Sequence, residues 1–249
     1  MKAMILAAGL GTRLRPLTND RPKALVTVAG HTLLEIALAR LRVFGIREVI
    51  VNVHHFADAI VDYLKANHNF GMRIELSRED LLLDTGGGLK KAAPFFLEAG
   101  GSLQEPFLLH NVDVISTIDL ARMVRFHVEH AALATLAVQD RPTSRYLLFE
   151  QNAQLCGRRA GDAEIEWACP VEQPQALAFS GIHVISPRIF EKLNEVGAFS
   201  IIPAYLRLTA QGERIMAFRA DDSYWRDLGR PQSVMEAAED LASGKFSLD

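Results

Sequence analysis

A chain of 249 residues that is 49% hydrophobic and 23% charged can bury a sizeable core. Its formal net charge of −3 excludes a general nucleic-acid binder, so any work on phosphate must fall to locally clustered cations. Two cysteines, Cys156 and Cys169, exclude a disulfide framework or a cysteine metal cluster and fit a reducing cytoplasm, and no apolar run approaches the roughly 18 residues of a membrane span. The N-terminus enters an apolar run after one lysine with no cleavage-type small-residue site, so no signal peptide is expected.

In chain order, Ala3–Ala8 reads as a buried strand. Thr32 and Glu35 form a capping-box pattern ahead of Leu33, Leu34, Ala37, Leu38 and Leu41 at helical spacing. A strand at Val49–Val53, a helix at Ala57–Leu64, a strand at Arg73–Ser77, a helix at Leu89–Phe96 and a strand at Phe107–His110 follow. Leu120–His130 reads as a helix and Leu133–Gln139 as a strand. This alternation predicts an α/β fold with a mostly parallel, open, Rossmann-like sheet and helices on both faces. The second half is less regular. Arg145–Glu150, Leu155–Arg158, Ala178–Ile185 and Arg214–Phe218 read as strands, with helices from Pro187 to about Glu195, at Pro203–Gln211 and at Pro231–Ala242. No repeat, low-complexity tract or linker divides the chain, which predicts a single domain over 1–249.

The densest signal is Leu6-Ala7-Ala8-Gly9-Leu10-Gly11-Thr12-Arg13-Leu14-Arg15-Pro16, then Arg21-Pro22-Lys23. An apolar run ends in a glycine loop that brings bare N–H groups close to a ligand, and four cations follow. That combination suits a polyphosphate. It is neither a Walker loop, since no Lys-Ser or Lys-Thr follows the glycines, nor the dinucleotide fingerprint, whose third glycine is Leu14 here. Asp113 follows the Phe107–His110 strand, where open α/β sheets bind ligands, and a carboxylate there suits magnesium or caps a helix. Asp84-Thr85-Gly86-Gly87-Gly88 reads as a side-chain-free platform before a helix, or as a strained turn. Adjacent His54 and His55 point to opposite strand faces and do not chelate one ion; a pocket rim is expected for them.

The ordered run L-A-A-G-L-G-T-R-L-R-P-L-T with the following P-K resembles the signature of sugar-1-phosphate nucleotidyltransferases, over nearly the whole chain. The resemblance implies a nucleotide-diphospho-sugar transferase type of fold. The substrates implied are a nucleoside triphosphate and a sugar 1-phosphate, giving an NDP-sugar and pyrophosphate with Mg2+ or Mn2+. It implies a nucleotide-binding part at about 1–115, a sugar-binding part at about 116–230 and a closing helix at 231–242. Arg13 is expected on the β- and γ-phosphates, and Lys23 on the transferred phosphate or the incoming sugar phosphate, as the catalytic cations. Ala8, Gly9, Gly11, Thr12, Arg13, Thr85, Gly86, Gly87 and Asn111 are the implied nucleotide contacts. Tyr224-Trp225-Arg226-Asp227-Leu228-Gly229-Arg230-Pro231 is similar to the family's W-x-D-x-G-x-P segment, which makes Asp227 a second metal carboxylate beside Asp113. Phe179-Ser180-Gly181-Ile182 resembles a sugar-facing segment, so Ser180, Gly181 and Glu172 are expected on the sugar. Two departures stand out. Val112 replaces the glycine of N-G-D, and Gln173 replaces the lysine of E-K-P.

Within that family, short N-acetylmuramate-1-phosphate uridylyltransferases are the nearest in pattern. GTP-dependent mannose- or heptose-1-phosphate guanylyltransferases and a catalytically silent nucleotide-sugar sensor on the same fold stay open as alternatives. A dinucleotide-dependent dehydrogenase ranks far lower. Neither nucleic acid nor a membrane is an expected partner, and a monomer or small homo-oligomer is expected.

Overall fold

A computed structural model describes residues 1–98, 105–161 and 163–247. Strand β1 (Lys2–Leu6) runs through short 3-10 turns at Thr12–Leu14 and Lys23–Leu25 into a hairpin of β2 (Thr27–Val28) and β3 (His31–Thr32). Then come α1 (Leu33–Val43), β4 (Glu48–Val53), α2 (Ala57–Ala66), β5 (Arg73–Arg78), α3 (Asp84–Lys91), α4 (Ala93–Phe96) and β6 (Phe107–Asn111). Next are β7 (Val114–Ser116), α5 (Leu120–Glu129), β8 (Ala134–Gln139), β9 (Arg145–Phe149), β10 (Leu155–Ala160) and β11 (Glu166–Trp167). The chain closes with β12 (Gln175–Ile185), α6 (Ile201–Ala210), β13 (Ile215–Arg219), β14 (Trp225–Asp227) and α7 (Pro231–Ala242).

The main sheet has the order β11-β10-β9-β12-β6-β1-β4-β5, with β8 paired to β12 and β13 to β8. Its core is parallel: β1 lies between β4 and β6, and β4 pairs β5 in the same sense. The second half is antiparallel around the long β12, which pairs β6, β8 and β9 in that sense. Two-residue periodicity explains why both faces are covered. Ala3 and Ile5 of β1, Val49, Val51 and Val53 of β4 and Leu108 of β6 point into one core with α1, α2, α5 and α7. Met4, Ile50, Phe107 and Leu109 point into the other, against α3, α4 and α6. At the start of α1 the Thr32 hydroxyl accepts the Glu35 amide at 3.0 Å, the cap its sequence pattern predicts.

Three local expectations are corrected. The first strand ends at Leu6, and Ala7 and Ala8 already belong to the loop. The helix after Pro187 is only a 3-10 turn, Pro187–Glu191. The glycines 86–88 lie inside α3 rather than ahead of a helix, in a place where glycine is intrinsically unfavourable. Close packing outweighs propensity there. A Cβ on Gly86 would stand 2.3 Å from the Phe199 ring, one on Gly87 2.5 Å from the Gly197 carbonyl oxygen, and one on Gly88 2.8 Å from Glu79 Oε1.

Gly87→Ala is therefore expected to destabilise the fold by about 2 kcal/mol, because rigid backbone lies in the way. Urea unfolding checks this, and an unchanged midpoint contradicts it. Burial pushes the imidazoles of His110 and His127 down to about 4 and that of His183 down to about 3. The unfolded chain protonates its histidines near pH 6.5, so it binds more protons than the fold between that pH and the lowered values. Stability is accordingly complete above about pH 6.5 and falls as pH drops, before the ordinary carboxylate range is reached. A urea midpoint lower at pH 5 than at pH 7 is expected, and a flat profile contradicts it.

Candidate active site

A cleft of about 640 Å³ opens over the C-terminal ends of β1, β4 and β6. Its lining includes Ala8, Gly9 and Arg13 from the glycine loop, Lys23, Asn111 at the end of β6 and Asp113 after it, Thr85 from α3, and Asp227 from β14. Ligand sites in open α/β sheets form at such strand ends. Of the residues expected from the sequence, these eight come together at one opening. Gly11 and Thr12 lie in the same loop without lining the cleft. Gly11 has φ 64°, and its carbonyl accepts the Thr18 hydroxyl at 2.8 Å, which folds the loop back on itself.

Two acids approach each other because two very short strands pair. In the β7–β14 ladder Asp227 stands opposite Val114, the neighbour of Asp113, and the Leu228 amide donates to the Asp113 carbonyl at 2.7 Å. Asp113 is buried, and its Oδ2 pairs with Lys23 Nζ; the two side chains are 8% and 15% exposed. Asp227 Oδ1 accepts the Gly229 amide at 2.9 Å. The Arg13 guanidinium lies beside them: a Cβ on Gly229 would stand 2.7 Å from Asp227 Oδ1 and 2.9 Å from Arg13 Nη2. Arg15 does not line the cleft, and Arg21 forks onto its exposed neighbour Asp20 at 2.9 and 3.1 Å.

Two carboxylates are too few for a protein-only metal cage, and among the described residues no group of three or more His, Cys, Asp or Glu is placed to hold an ion. The pair does fit magnesium or manganese, which are usually held by one or two carboxylates together with substrate phosphates. The histidines play no part in this. His54 Nδ1 donates to the Glu79 carbonyl at 2.7 Å, and the exposed His55 packs on Phe56.

Beside Asp84, named with the glycine segment, residues the sequence did not single out complete the cleft. Asn52, Glu79, Leu82, Asp84 and Ala198 line it. Asn52 Oδ1 accepts the amides of Ala7 and Ala8 at 2.7 and 3.3 Å, and its Nδ2 donates to Glu79 Oε1 at 2.7 Å. Glu79 Oε2 in turn accepts the Leu83 amide at 2.9 Å. A signal for Asn52 exists in the sequence: it interrupts the otherwise apolar run Val49-Ile50-Val51-Asn52-Val53 at a strand end. Glu79 sits in the charged stretch Arg78-Glu79-Asp80 and has none.

Several expected contacts are engaged elsewhere. The amides of Gly86 and Gly87 donate to the Phe199 carbonyl at 2.9 and 3.2 Å and do not face the cleft as free donors. Ser180 is fully buried. Its hydroxyl reaches Gln139 at 3.5 Å, and its carbonyl accepts Trp225 Nε1 at 2.8 Å, so its visible role is to seat the strand that carries Asp227. Gly181 packs against Asn111, and Glu172 is exposed on the 171–174 loop, outside the cleft lining. Arg141 carried no motif. It stacks on Trp225 with its guanidinium 3.5 Å from the ring centroid and donates to the Phe179 carbonyl at 2.8 Å. Burial pushes its pKa down, and the nearby Asp227 charge works against that shift.

Residues 2–244 match the Nucleotidyl transferase family. N-acetylmuramate alpha-1-phosphate uridylyltransferase of Caulobacter vibrioides is 36% identical over 253 residues, 96% of each chain. Mannose-1-phosphate guanyltransferase beta-B of Xenopus laevis is 30% identical over 94% of this chain, which spans 63% of that protein's length. The fold is shared with HddC from Yersinia pseudotuberculosis, solved in complex with GMP-PN: TM-score 0.76, 22% identity, 96% of this chain and 99% of that one. The chain belongs to the nucleotidyl transferase family, as a sugar-1-phosphate nucleotidyltransferase. Among the described residues no helix is long and apolar enough to cross a membrane.

Proposed function

We propose that this chain joins UTP to N-acetylmuramate 1-phosphate or a related sugar 1-phosphate, giving the UDP-sugar and pyrophosphate. The observation that carries the chemistry is the convergence of Arg13, Lys23, Asp113 and Asp227 at one end of a single cleft. The preference for UTP and for this sugar rests on likeness to the Caulobacter uridylyltransferase along almost its whole length.

An oxygen of the sugar phosphate attacks the α-phosphorus, the new P–O bond forms, and the bond to the bridging oxygen of pyrophosphate breaks in line. A phosphate monoester is largely dianionic near neutral pH, so no general base is required. The obstacle is repulsion between two anions and the charge growing on the leaving group. Arg13 meets that charge on the β- and γ-phosphates, where a planar guanidinium grips two oxygens. Lys23, on its flexible stem, neutralises the transferred phosphate or the incoming sugar phosphate. Asp113 and Asp227 would hold Mg2+ or Mn2+, which when bound supplies Lewis-acid neutralisation of phosphate oxygens. The base and ribose lie near Gly9, Asp84 and Thr85. Residues of about 1–115 hold the nucleotide within one nucleotidyltransferase domain, and about 116–230 hold the sugar.

Four nucleoside triphosphates tested against several sugar 1-phosphates, read by pyrophosphate release, check this reading. Turnover with UTP and N-acetylmuramate 1-phosphate is expected to exceed the other pairs. Preferred turnover with GTP and mannose or heptose 1-phosphate makes the chain a guanylyltransferase instead. Nucleotide binding without turnover on any pair makes it a silent sensor. Asp113→Ala and Asp227→Ala are each expected to lower kcat by at least about a hundredfold with an unaltered circular dichroism spectrum. Near-normal rates in both overturn the two-carboxylate site. Arg13→Ala is expected to raise KM for the triphosphate more than for the sugar phosphate, and the reverse pattern moves the arginine to the other substrate.

A further inference from the structure

The metal carboxylates and the phosphate-binding cations are arranged as opposite partners. Lys23 sits on Asp113 Oδ2, and both side chains are largely shielded from water. Arg13 and Asp227 flank the same point above Gly229. Lys23 and Arg13 therefore stand against Asp113 and Asp227 without any ligand, and Arg141 adds a further positive charge near Asp227. The ammonium on Asp113 Oδ2 takes up lone-pair sites of that carboxylate and offsets the negative charge that would draw a divalent ion. An ion arriving alone adds two positive charges where the carboxylates already face cations, and must either displace Lys23 or sit against its charge. Phosphate changes the balance. Substrate oxygens offer Lys23 and Arg13 new partners, and the carboxylates are left to a cation.

We propose that Lys23 is the resident counter-ion of Asp113, so that the free protein excludes divalent ions and metal entry is linked to the transfer of Lys23 onto substrate phosphate. This extends the nucleotidyl-transfer reading to the regulation of the same site and rests on it for the identity of the phosphate. Lysine suits the task because its ammonium is a mobile point charge on a four-carbon stem, where an arginine fork would hold the carboxylate in two-point contact. Gly229 belongs to the same device: any side chain there meets both Arg13 Nη2 and Asp227 Oδ1.

Titration of Mn2+ alone into the ligand-free protein, followed by the electron paramagnetic resonance signal of free Mn2+, reads the linkage without turnover. Lys23→Ala removes the competing charge and leaves a buried carboxylate uncompensated, so it is expected to bind Mn2+ about tenfold or more tightly than the wild type. Lys23→Arg restores a cation and is expected to bind no more tightly than the wild type. In Lys23→Ala/Asp113→Asn the gain is expected to vanish. If Lys23→Ala does not fold, judged by circular dichroism, Lys23→Gln is read in its place. Unchanged Mn2+ affinity on removing Lys23, or a gain that survives Asp113→Asn, overturns the proposal. Pyrophosphate release by the wild-type chain separates the two ideas. Turnover without the Mn2+ gain defeats the counter-ion alone, and the gain without turnover on any substrate pair defeats the transferase reading alone.

Discussion

One buried side-chain amide ties the site to the sheet. Asn52 is 3% exposed at the end of β4, and it holds the amides of Ala7 and Ala8 on one side and the carboxylate of Glu79 on the other. Glu79, 4% exposed, passes the link to the Leu83 amide at the entry to α3. The C-terminal ends of three neighbouring parallel strands and the segments beyond them are thus joined through one connected set of hydrogen bonds. In a low-dielectric interior such a set stabilises only when its members are paired, because each orphaned group costs its full desolvation. Gly88 completes the arrangement, since a Cβ there would meet both Glu79 Oε1 and Asn52 Nδ2. The glycine loop is therefore shaped before any ligand arrives.

The rest of the cleft follows from where the chain changes direction. The parallel strands deliver the glycine loop, Asn52 and the Asn111–Asp113 segment to one edge. The antiparallel second half folds back and, through the three-residue ladder of β7 and β14, delivers Asp227 to the same place. Gln139 secures that return, donating to the carbonyls of Ala220 and Ser223 at 2.8 and 2.9 Å. Arg141 and Ser180 then hold Trp225, two residues from Asp227. Cations and candidate metal ligands thus share one cleft with amide, acid and apolar groups.

Much of this was legible in the sequence because it depends on local pattern. Strand and helix periodicity in the first half, the Thr32 cap and the glycine-and-cation loop all act over short distances along the chain. Asp113 and Asp227 lie far apart in sequence, and resemblance alone placed them together. What stayed hidden depends on partners from distant segments. The glycines 86–88 read as a platform ahead of a helix because their helical setting is imposed by Phe199, Gly197 and Glu79. Ser180 read as a sugar contact because nothing local announces that Gln139 and Trp225 enclose it. Glu79 and Arg141 carry no motif, and only the folded chain gives them their partners. The ladder of β7 and β14 is too short to carry a periodic signal.

The Asn52 clamp preforms the glycine loop. Isothermal titration of UTP into Asn52→Ala, with folding checked by circular dichroism, tests it most directly. The clamp predicts a folded protein whose UTP affinity is at least about tenfold weaker, since the ordering of the loop must then be supplied by binding energy. A folded Asn52→Ala protein that binds UTP as tightly as the wild type contradicts it.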